Sequence, residues 1–420
     1  MRPHGVFGKQ NALSLFALFA FVLTALHFYC SPSQRFGGDG RLLAVPAFGR
    51  RKLQRHWSIT GRGHLEGVTN FRKPPGLKVV ALVFYGRPGS VSILDCYLKR
   101  NLAVNGGVLD EVVFLARTRR VRDLLYLDEL VRTSPYYRRQ DLTFTRGDYR
   151  SAYNFVENGT MYVKIDDDIV FMEDSTIPSL VSTKLENPDL YIVSANVVNQ
   201  PSLSWVHQHL GVVKPYLPEL DTPPTFFEYQ GAVVSRSHDH HVAGTWRPSE
   251  LPTWSGPPSF NFTDYFAHHP NGPCPSHRWL PLRNQSNHDN TPITAALYDA
   301  FGPSLWHWYI GAQQHFSFLE HLENNELWRY KFHRWDYNYQ RMGIQMIAMM
   351  GDDINRAKPI VNRDDEYYFS EFMPSVTKRH GVVDGRALAV HYSFAPQKEG
   401  MHTTDLLERY RAFAMENICV

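Results

Sequence analysis

Residues 162–171 read YVKIDDDIVF, with Asp166, Asp167 and Asp168 set inside an otherwise largely apolar, strand-like segment. Adjacent carboxylates repel one another, and burying them at the end of a core strand is costly unless a cation takes up the charge. A divalent metal is the simplest compensation. Mg²⁺ or Mn²⁺ held by one or two carboxylates keeps its other positions for water and phosphate oxygens, so the pattern points to a nucleotide-diphosphate site. The plainer alternative is a solvated turn whose acids cap the next element of the chain.

The flanking segments favour the metal. LKVVALVFY (77–85), EVVFLAR (111–117), DLTFT (141–145), MYVKI (161–165) and DLYIVSANVV (189–198) read as strands. SVSILDCYLKRNLAV (90–104), VRDLLYLDELVRT (121–133) and the piece around Tyr149 to Val156 read as helices. Near-continuous apolar strands alternating with helices predict an α/β fold, a mostly parallel Rossmann-like sheet flanked by helices. Ligands of such sheets bind outside the carboxyl ends of the strands, where the triplet lies. The turn after the first strand, with Tyr85, Gly86 and Arg87, is placed to meet a nucleotide base or ribose, although Gly and Pro there also serve simply to form the turn.

The amino end bears on the compartment. After Arg2 and Lys9, residues 12–29 (ALSLFALFAFVLTALHFY) are almost wholly apolar and nearly long enough to cross a bilayer. This core is longer than that of a usual signal peptide, and Cys30-Ser-Pro-Ser lacks a small-x-small cleavage site, so an uncleaved signal anchor is expected at 11–30. The basic residues before it place 1–10 in the cytosol. The expected protein is type II, single-pass, with a stem at 31–76 and its bulk in the lumen of the Golgi or ER. Asn158-Gly-Thr, Asn261-Phe-Thr and Asn284-Gln-Ser are glycosylation sequons that fit this address, with Asn158 the most crowded by its neighbouring strand. Cys30, Cys96, Cys274 and Cys419 show no metal-type spacing. One disulfide among the last three is compatible with the spacing, which does not fix the partners.

The 44 Lys plus Arg against 41 Asp plus Glu leave a formal charge of +3, too little for a nucleic-acid binder. Arg50, Arg51, Lys52 and Arg55 lie in the stem, and Arg117, Arg119, Arg120 and Arg122 open a helix, where they suit a solvated face or a diphosphate. Between 201 and 300 the composition turns to Pro, His, Asn and Trp, which reads as a long irregular insertion. Its histidines, among them His207, His209, His238, His240, His241, His268 and His269, match no recognised zinc spacing. Helical patterns resume at Thr291. In the aromatic block beyond it, Trp306, Trp308, Trp328 and Trp335 suit a sugar-binding surface or core packing equally.

Two later features complete a constellation. Asn362-Arg-Asp364-Asp365-Glu366 places acids at a helix start, where the macrodipole favours anions whether or not they do chemistry. ALAVHYSF then sets His391 in an apolar strand-like segment, as a core residue or a ligand. The order of triplet, acid-led helix and histidine strand resembles GT-A fold glycosyltransferases, metal-dependent enzymes that use nucleotide-diphosphate sugars. SANVVNQ (194–200), DDEYYF (364–369) and the stretch from VVDGRALAVHYSF to DLLERYRAFA are similar to a group of fungal type II membrane glycosyltransferases.

The resemblance covers about 77–420 and implies a GT-A-like fold. It makes 77–200 the half that binds the nucleotide-sugar, with Asp166 to Asp168 as the DXD motif, and 301–420 the acceptor and catalytic half. It implies Asp166, Asp168 and His391 as ligands of Mn²⁺ or Mg²⁺; Tyr85 and Arg87, by their place after the first strand, are expected with Asp166 and Asp167 as contacts to the bound donor. Asp365 is implied as catalytic base, with Glu366 the alternative and Asp364 open. The implied reaction moves a sugar, with a UDP-sugar as first expectation, to a glycan or glycoconjugate acceptor with inversion; retention stays open. UDP-galactose, UDP-glucose, UDP-galactofuranose and GDP-mannose are all compatible donors. The rival readings are a sugar-nucleotide hydrolase or nucleotidyltransferase, and a membrane-tethered carbohydrate-binding scaffold that keeps the fold without the reaction.

Overall fold

The computed structural model describes residues 71–142, 148–220, 245–283, 285–297 and 299–419. The expected cytosolic tail, signal anchor and most of the stem lie outside these residues, as do His238, His240, His241 and Asn284. Among the described residues no helix is long and apolar enough to cross a membrane.

The strands are β1 (Lys78–Tyr85), β2 (Glu111–Ala116), β3 (Tyr137–Asp141), β4 (Thr160–Asp166), β5 (Ile169–Met172), β6 (Ile192–Val198), β7 (Tyr216–Pro218), β8 (Trp279–Pro281), β9 (Arg334–Asp336), β10 (Met346–Met350) and β11 (Gly381–His391). The helices that frame them are α1 (Pro88–Asn101), α2 (Val121–Arg132), α3 (Thr176–Glu186), α4 (Pro201–His209), α5 (Pro303–Trp306), α6 (Trp308–Glu323), α7 (Asp365–Tyr367) and α8 (Leu406–Asn417). The main sheet has the order β3-β2-β1-β4-β10-β6-β11-β5, with β9 added to β11. β1 to β4 run parallel to one another, β6 and β11 are parallel, and β10, β5 and β9 run against their neighbours. Six of the nine strands therefore share one direction, and the sheet is mixed but mostly parallel, as expected for an α/β fold.

β1 owes its central place to composition: every residue from Val79 to Tyr85 is buried, as a strand covered on both faces requires. β3 is the edge, and its exposed Arg138 and half-buried Arg139 pair with Glu111 and Asp128, charges that discourage further strand addition. It begins earlier than DLTFT. The expected helix near Tyr149 is only a 3-10 turn, Arg150–Tyr153. The expected insertion holds α4, a short helix at Phe262–His268 and the small antiparallel sheet of β7 and β8.

One connection shapes the whole sheet. β4 and β5 are joined by Asp167 and Asp168 alone, yet four strand spacings separate them in the order. On a flat sheet that is roughly 19 Å at about 4.8 Å per strand, whereas three Cα steps reach about 10 Å. The sheet must curl until the carboxyl end of β4 meets the end of β11. A break in the β11 to β6 register between Asp384 and Leu388 helps this curl, and Asn196 Nδ2 holds the break by donating to the Gly385 carbonyl at 3.0 Å.

Two long-range ties support this arrangement. A disulfide joins Cys96 of α1 to Cys419 beyond α8, at a separation of 323 residues. Cys96→Ser with Cys419→Ser is expected to cost about 2–5 kcal/mol by denaturant unfolding, because the crosslink closes a very long loop of the unfolded chain. The second tie is the fully buried pair of Lys331 Nζ with Glu173 Oε2, at 2.6 Å. Burial pushes the Glu173 carboxyl up to about 7, Lys331 opposing only in part. The folded carboxyl thus holds its proton more tightly than the unfolded one. Its contribution to stability is full below about pH 4.5 and is lost as pH rises through about 7. Raising the pH from 4 to 8 should cost roughly 3 kcal/mol from this group, and the difference should shrink in Glu173→Gln/Lys331→Met, measured by urea unfolding at both pH values.

Candidate functional site

The curl brings the acidic triplet of β4 against the histidine of β11. Asp166 ends β4 on the same face as Lys164, two residues earlier, and Lys164 Nζ donates to Asp166 Oδ1 at 2.5 Å and to the Ile344 carbonyl at 2.7 Å. Asp167 is bonded through both oxygens, Oδ2 accepting from Gly86 N–H at 2.5 Å and Oδ1 from Arg87 Nε at 2.6 Å. Asp168 is completely buried, and its backbone carbonyl accepts from Tyr392 N–H at 2.9 Å. Arg87 Nη1 donates to its Oδ2, to which Ser393 N–H also donates at 3.4 Å. Its other oxygen, Oδ1, faces His391 Nε2 at 3.2 Å outside hydrogen-bond geometry, an ion pair when the imidazole carries both protons, and His391 Nδ1 is buried without a partner.

One donor atom from each of Asp166, Asp168 and His391 falls within 4.8 Å of the others. An octahedral ion with ligands at about 2.1 Å sets adjacent ligands about 3 Å apart, close to the 3.2 Å between Asp168 Oδ1 and His391 Nε2, so the cluster could hold Mn²⁺ or Mg²⁺. A cation in place of the His391 proton would satisfy Asp168 Oδ1, and two carboxylates with an imidazole are residue types that suit Mn²⁺ or Mg²⁺. They are the only such acid and histidine group among the described residues. His207 is a core residue whose Nε2 faces Asn196 Oδ1 at 2.8 Å, burial pushing its imidazole down to about 3, while His268 and His269 are exposed.

The charges explain the roles of the three acids. Burial raises the Asp168 carboxyl, but Arg87 and His391 outweigh it and hold the group well below the ordinary range. Asp167 is raised by burial, since it shares Arg87 with a second carboxylate beside it. Lys164 is held above its usual value: burial lowers it, and Asp166 and Asp365 more than compensate.

Asp365 feels the charges of both Lys164 and Asp166. It is 7 % exposed, and Tyr153 Oη donates to its Oδ2 at 2.7 Å. Burial pushes its carboxyl up against the opposing pull of Lys164. Asp364 is the N-cap of α7, accepting from Tyr367 N–H, and Arg341 bridges Asp364 and Glu366 with bonds of 2.8 Å to each. The acid trio therefore separates into a helix cap, a buried acid bonded to Tyr153, and an acid that shares Arg341 with the cap.

One expected donor contact, Tyr85, is revised. Tyr85 is fully buried with its hydroxyl bonded to the Asp123 carbonyl and its ring edge-on to Phe114, so it is a core residue turned away from the triplet. Arg87 does face the site, but its partners are Asp167 and Asp168. Arg117, of the basic run before α2, lies over the Tyr149 ring at 3.8 Å. Lys164, Tyr153 and Arg341 were not singled out in the sequence. Lys164 carried a signal, as a lone cation two residues before Asp166 on the same strand face; the other two arrive from distant segments.

No protein-family model matches the chain, and no curated protein matches it. Among solved structures, the crystal structure of M. tuberculosis glucosyl-3-phosphoglycerate synthase aligns at a TM-score of 0.23 and 14% identity over 32% of this chain and 53% of that one. A second, described as a mycobacterial protein, aligns at 0.22 and 15% over 32% and 49%. The chain spans about half the length of each, and the site is read from its own geometry.

Proposed function

We propose that this protein is a metal-dependent glycosyltransferase that moves a sugar from a nucleotide-diphosphate donor, a UDP-sugar foremost, to a glycan or glycoconjugate with inversion. The observation that carries the proposal is the convergence of Asp166, Asp168 and His391 around Asp168 Oδ1, with the buried Asp365 in electrostatic reach of Lys164. A scaffold protein has no need of that arrangement, since Asp168 and Asp365 both cost free energy to bury.

Asp166, Asp168 and His391 would hold Mn²⁺ or Mg²⁺, which when bound supplies Lewis-acid stabilisation of the charge on the departing diphosphate. Arg87 fixes the Asp167–Asp168 turn and offers a cation beside the phosphates. Asp365 takes the proton of the acceptor hydroxyl as its oxygen attacks the anomeric carbon. Its raised pKa favours that transfer, and Tyr153 fixes the carboxyl's direction. Lys164 offsets the charges of both Asp166 and Asp365.

A secretory address is supported by the Cys96–Cys419 disulfide, which suits an oxidising compartment. Asn158 and Asn261 are both exposed, so Asn158 is more accessible than its sequence neighbours suggest. With the apolar segment at 11–30, these features favour a type II protein of the Golgi or ER membrane.

The test is to incubate the detergent-solubilised full chain with UDP-galactose, UDP-glucose, UDP-galactofuranose and GDP-mannose, with Mn²⁺ or with a chelator. Nucleotide release from one donor, abolished by chelation, is the expected result. Absence of turnover together with absence of nucleotide binding would leave the scaffold reading in its place.

A further inference from the structure

The aromatic block, ambiguous in the sequence, divides in the fold. Trp308 belongs to the core, with its Nε1 donating to the Pro270 carbonyl at 2.7 Å. Phe301 and Trp306 each remain 57 % exposed. The segment that carries them is tied to both halves of the site. At one end the Ser304 carbonyl accepts from Gln397 Nε2 at 2.6 Å, and the Oε1 of the same Gln397 accepts from Phe394 N–H at 3.2 Å, in the loop after His391. At the other, the Arg341 guanidinium lies 4.9 Å from the Phe301 ring centre while it holds Asp364 and Glu366. Trp306 Nε1 donates to the Phe301 carbonyl at 2.8 Å and folds the segment onto itself.

We propose that Phe301 and Trp306 are an acceptor subsite for a glycan, stacking against the C–H face of a hexose ring while Asp364 accepts from its hydroxyl edge. The acceptor role rests on the glycosyltransferase reading; the sugar-binding surface does not. Large exposed rings lose little conformational entropy on binding, and their faces match the apolar side of a pyranose. The neighbouring charges choose the occupant. The Asp364 side chain is 46 % exposed and that of Glu366 26 %, so a lipid chain or an apolar peptide face would strand carboxylates against hydrocarbon. A polyhydroxylated ring presents apolar and hydrogen-bonding surface side by side. The segment that carries the rings is bonded on one side to the loop after His391 and on the other, through Arg341, to the acids that flank Asp365.

The experiment is saturation-transfer NMR on the full chain with methyl α-mannopyranoside, methyl β-galactopyranoside and trisaccharides of each sugar. Transfer to the protons of one ring face is expected for at least one probe, with a tenfold or greater loss in Phe301→Ala/Trp306→Ala and recovery in Phe301→Tyr/Trp306→Phe. Leu125→Ala, an exposed position on α2, is the control for surface change. Thermal melts establish that each variant folds. Undiminished transfer in the double-alanine variant, no transfer from any probe to the native chain, or an amphipathic peptide that binds the two rings in place of sugar would each overturn the proposal. UDP titrations with Mn²⁺ on the same samples separate it from the parent reading: ring-dependent sugar binding without nucleotide binding would sink the transferase and keep the sugar site.

Discussion

Asp168→Ala is expected to lower metal-dependent donor turnover by roughly a thousandfold, since a metal contributes several kcal/mol of transition-state stabilisation and about 1.4 kcal/mol corresponds to each factor of ten. Asp168 is the acid with an oxygen to spare. Its Oδ1 is buried without a hydrogen bond, whereas both oxygens of Asp167 are bonded to Gly86 and Arg87. The two neighbours should therefore fail differently. Asp168→Ala should lose Mn²⁺ binding, read as free-ion signal in electron paramagnetic resonance, because it removes a ligand. Asp167→Asn should keep most of its Mn²⁺ affinity and lose stability, because it disturbs the turn that joins β4 to β5. Equal Mn²⁺ binding by Asp168→Ala and the native chain, with both folded, would remove this residue from the metal site.

The second large effect concerns the acid at the start of α7. Asp365→Asn is expected to lower kcat by about 10²–10⁴-fold, the usual worth of a general base, while UDP and Mn²⁺ still bind. Glu366→Gln should cost less than about tenfold, since its carboxylate is already committed to Arg341 and its loss mainly weakens that pair. The pH profile gives an independent reading. Burial raises the Asp365 pKa, so the proton is retained to higher pH than on an ordinary aspartate. Activity should then rise with pH along an acid limb displaced upward, and this limb should vanish in the residual activity of Asp365→Asn. The reverse pattern, with Glu366→Gln inactive and Asp365→Asn near native, would transfer the role to Glu366.

These roles could be separated only in three dimensions. In the sequence Asp364, Asp365 and Glu366 are three acids at a helix start, and nothing local distinguishes them. Their partners do: a backbone N–H for Asp364, Tyr153 for Asp365 and Arg341 for both Asp364 and Glu366. Tyr85 shows the opposite error. Its position after an apolar strand suggested a ligand contact, but the pleat that turns Phe84 toward Tyr153 turns Tyr85 into the core against Phe114. The aromatic block behaves the same way, since Trp306 and Trp308 share a composition and differ only in what packs over them.

What the sequence determined by itself is the set of local commitments. Continuous apolar runs specify β1, β2, β4 and β6, amphipathic periods specify α1 and α2, and the triplet announces a charge that a strand end cannot hold unaided. Those properties depend on neighbours a few residues apart. The meeting of Asp168 with His391, the Cys96–Cys419 bond and the ring pair beside Arg341 depend on contacts between distant segments. The two-residue link from β4 to β5 forces the sheet to curl only once β10, β6 and β11 have taken their places between them, and strand order is a property of the whole packed sheet.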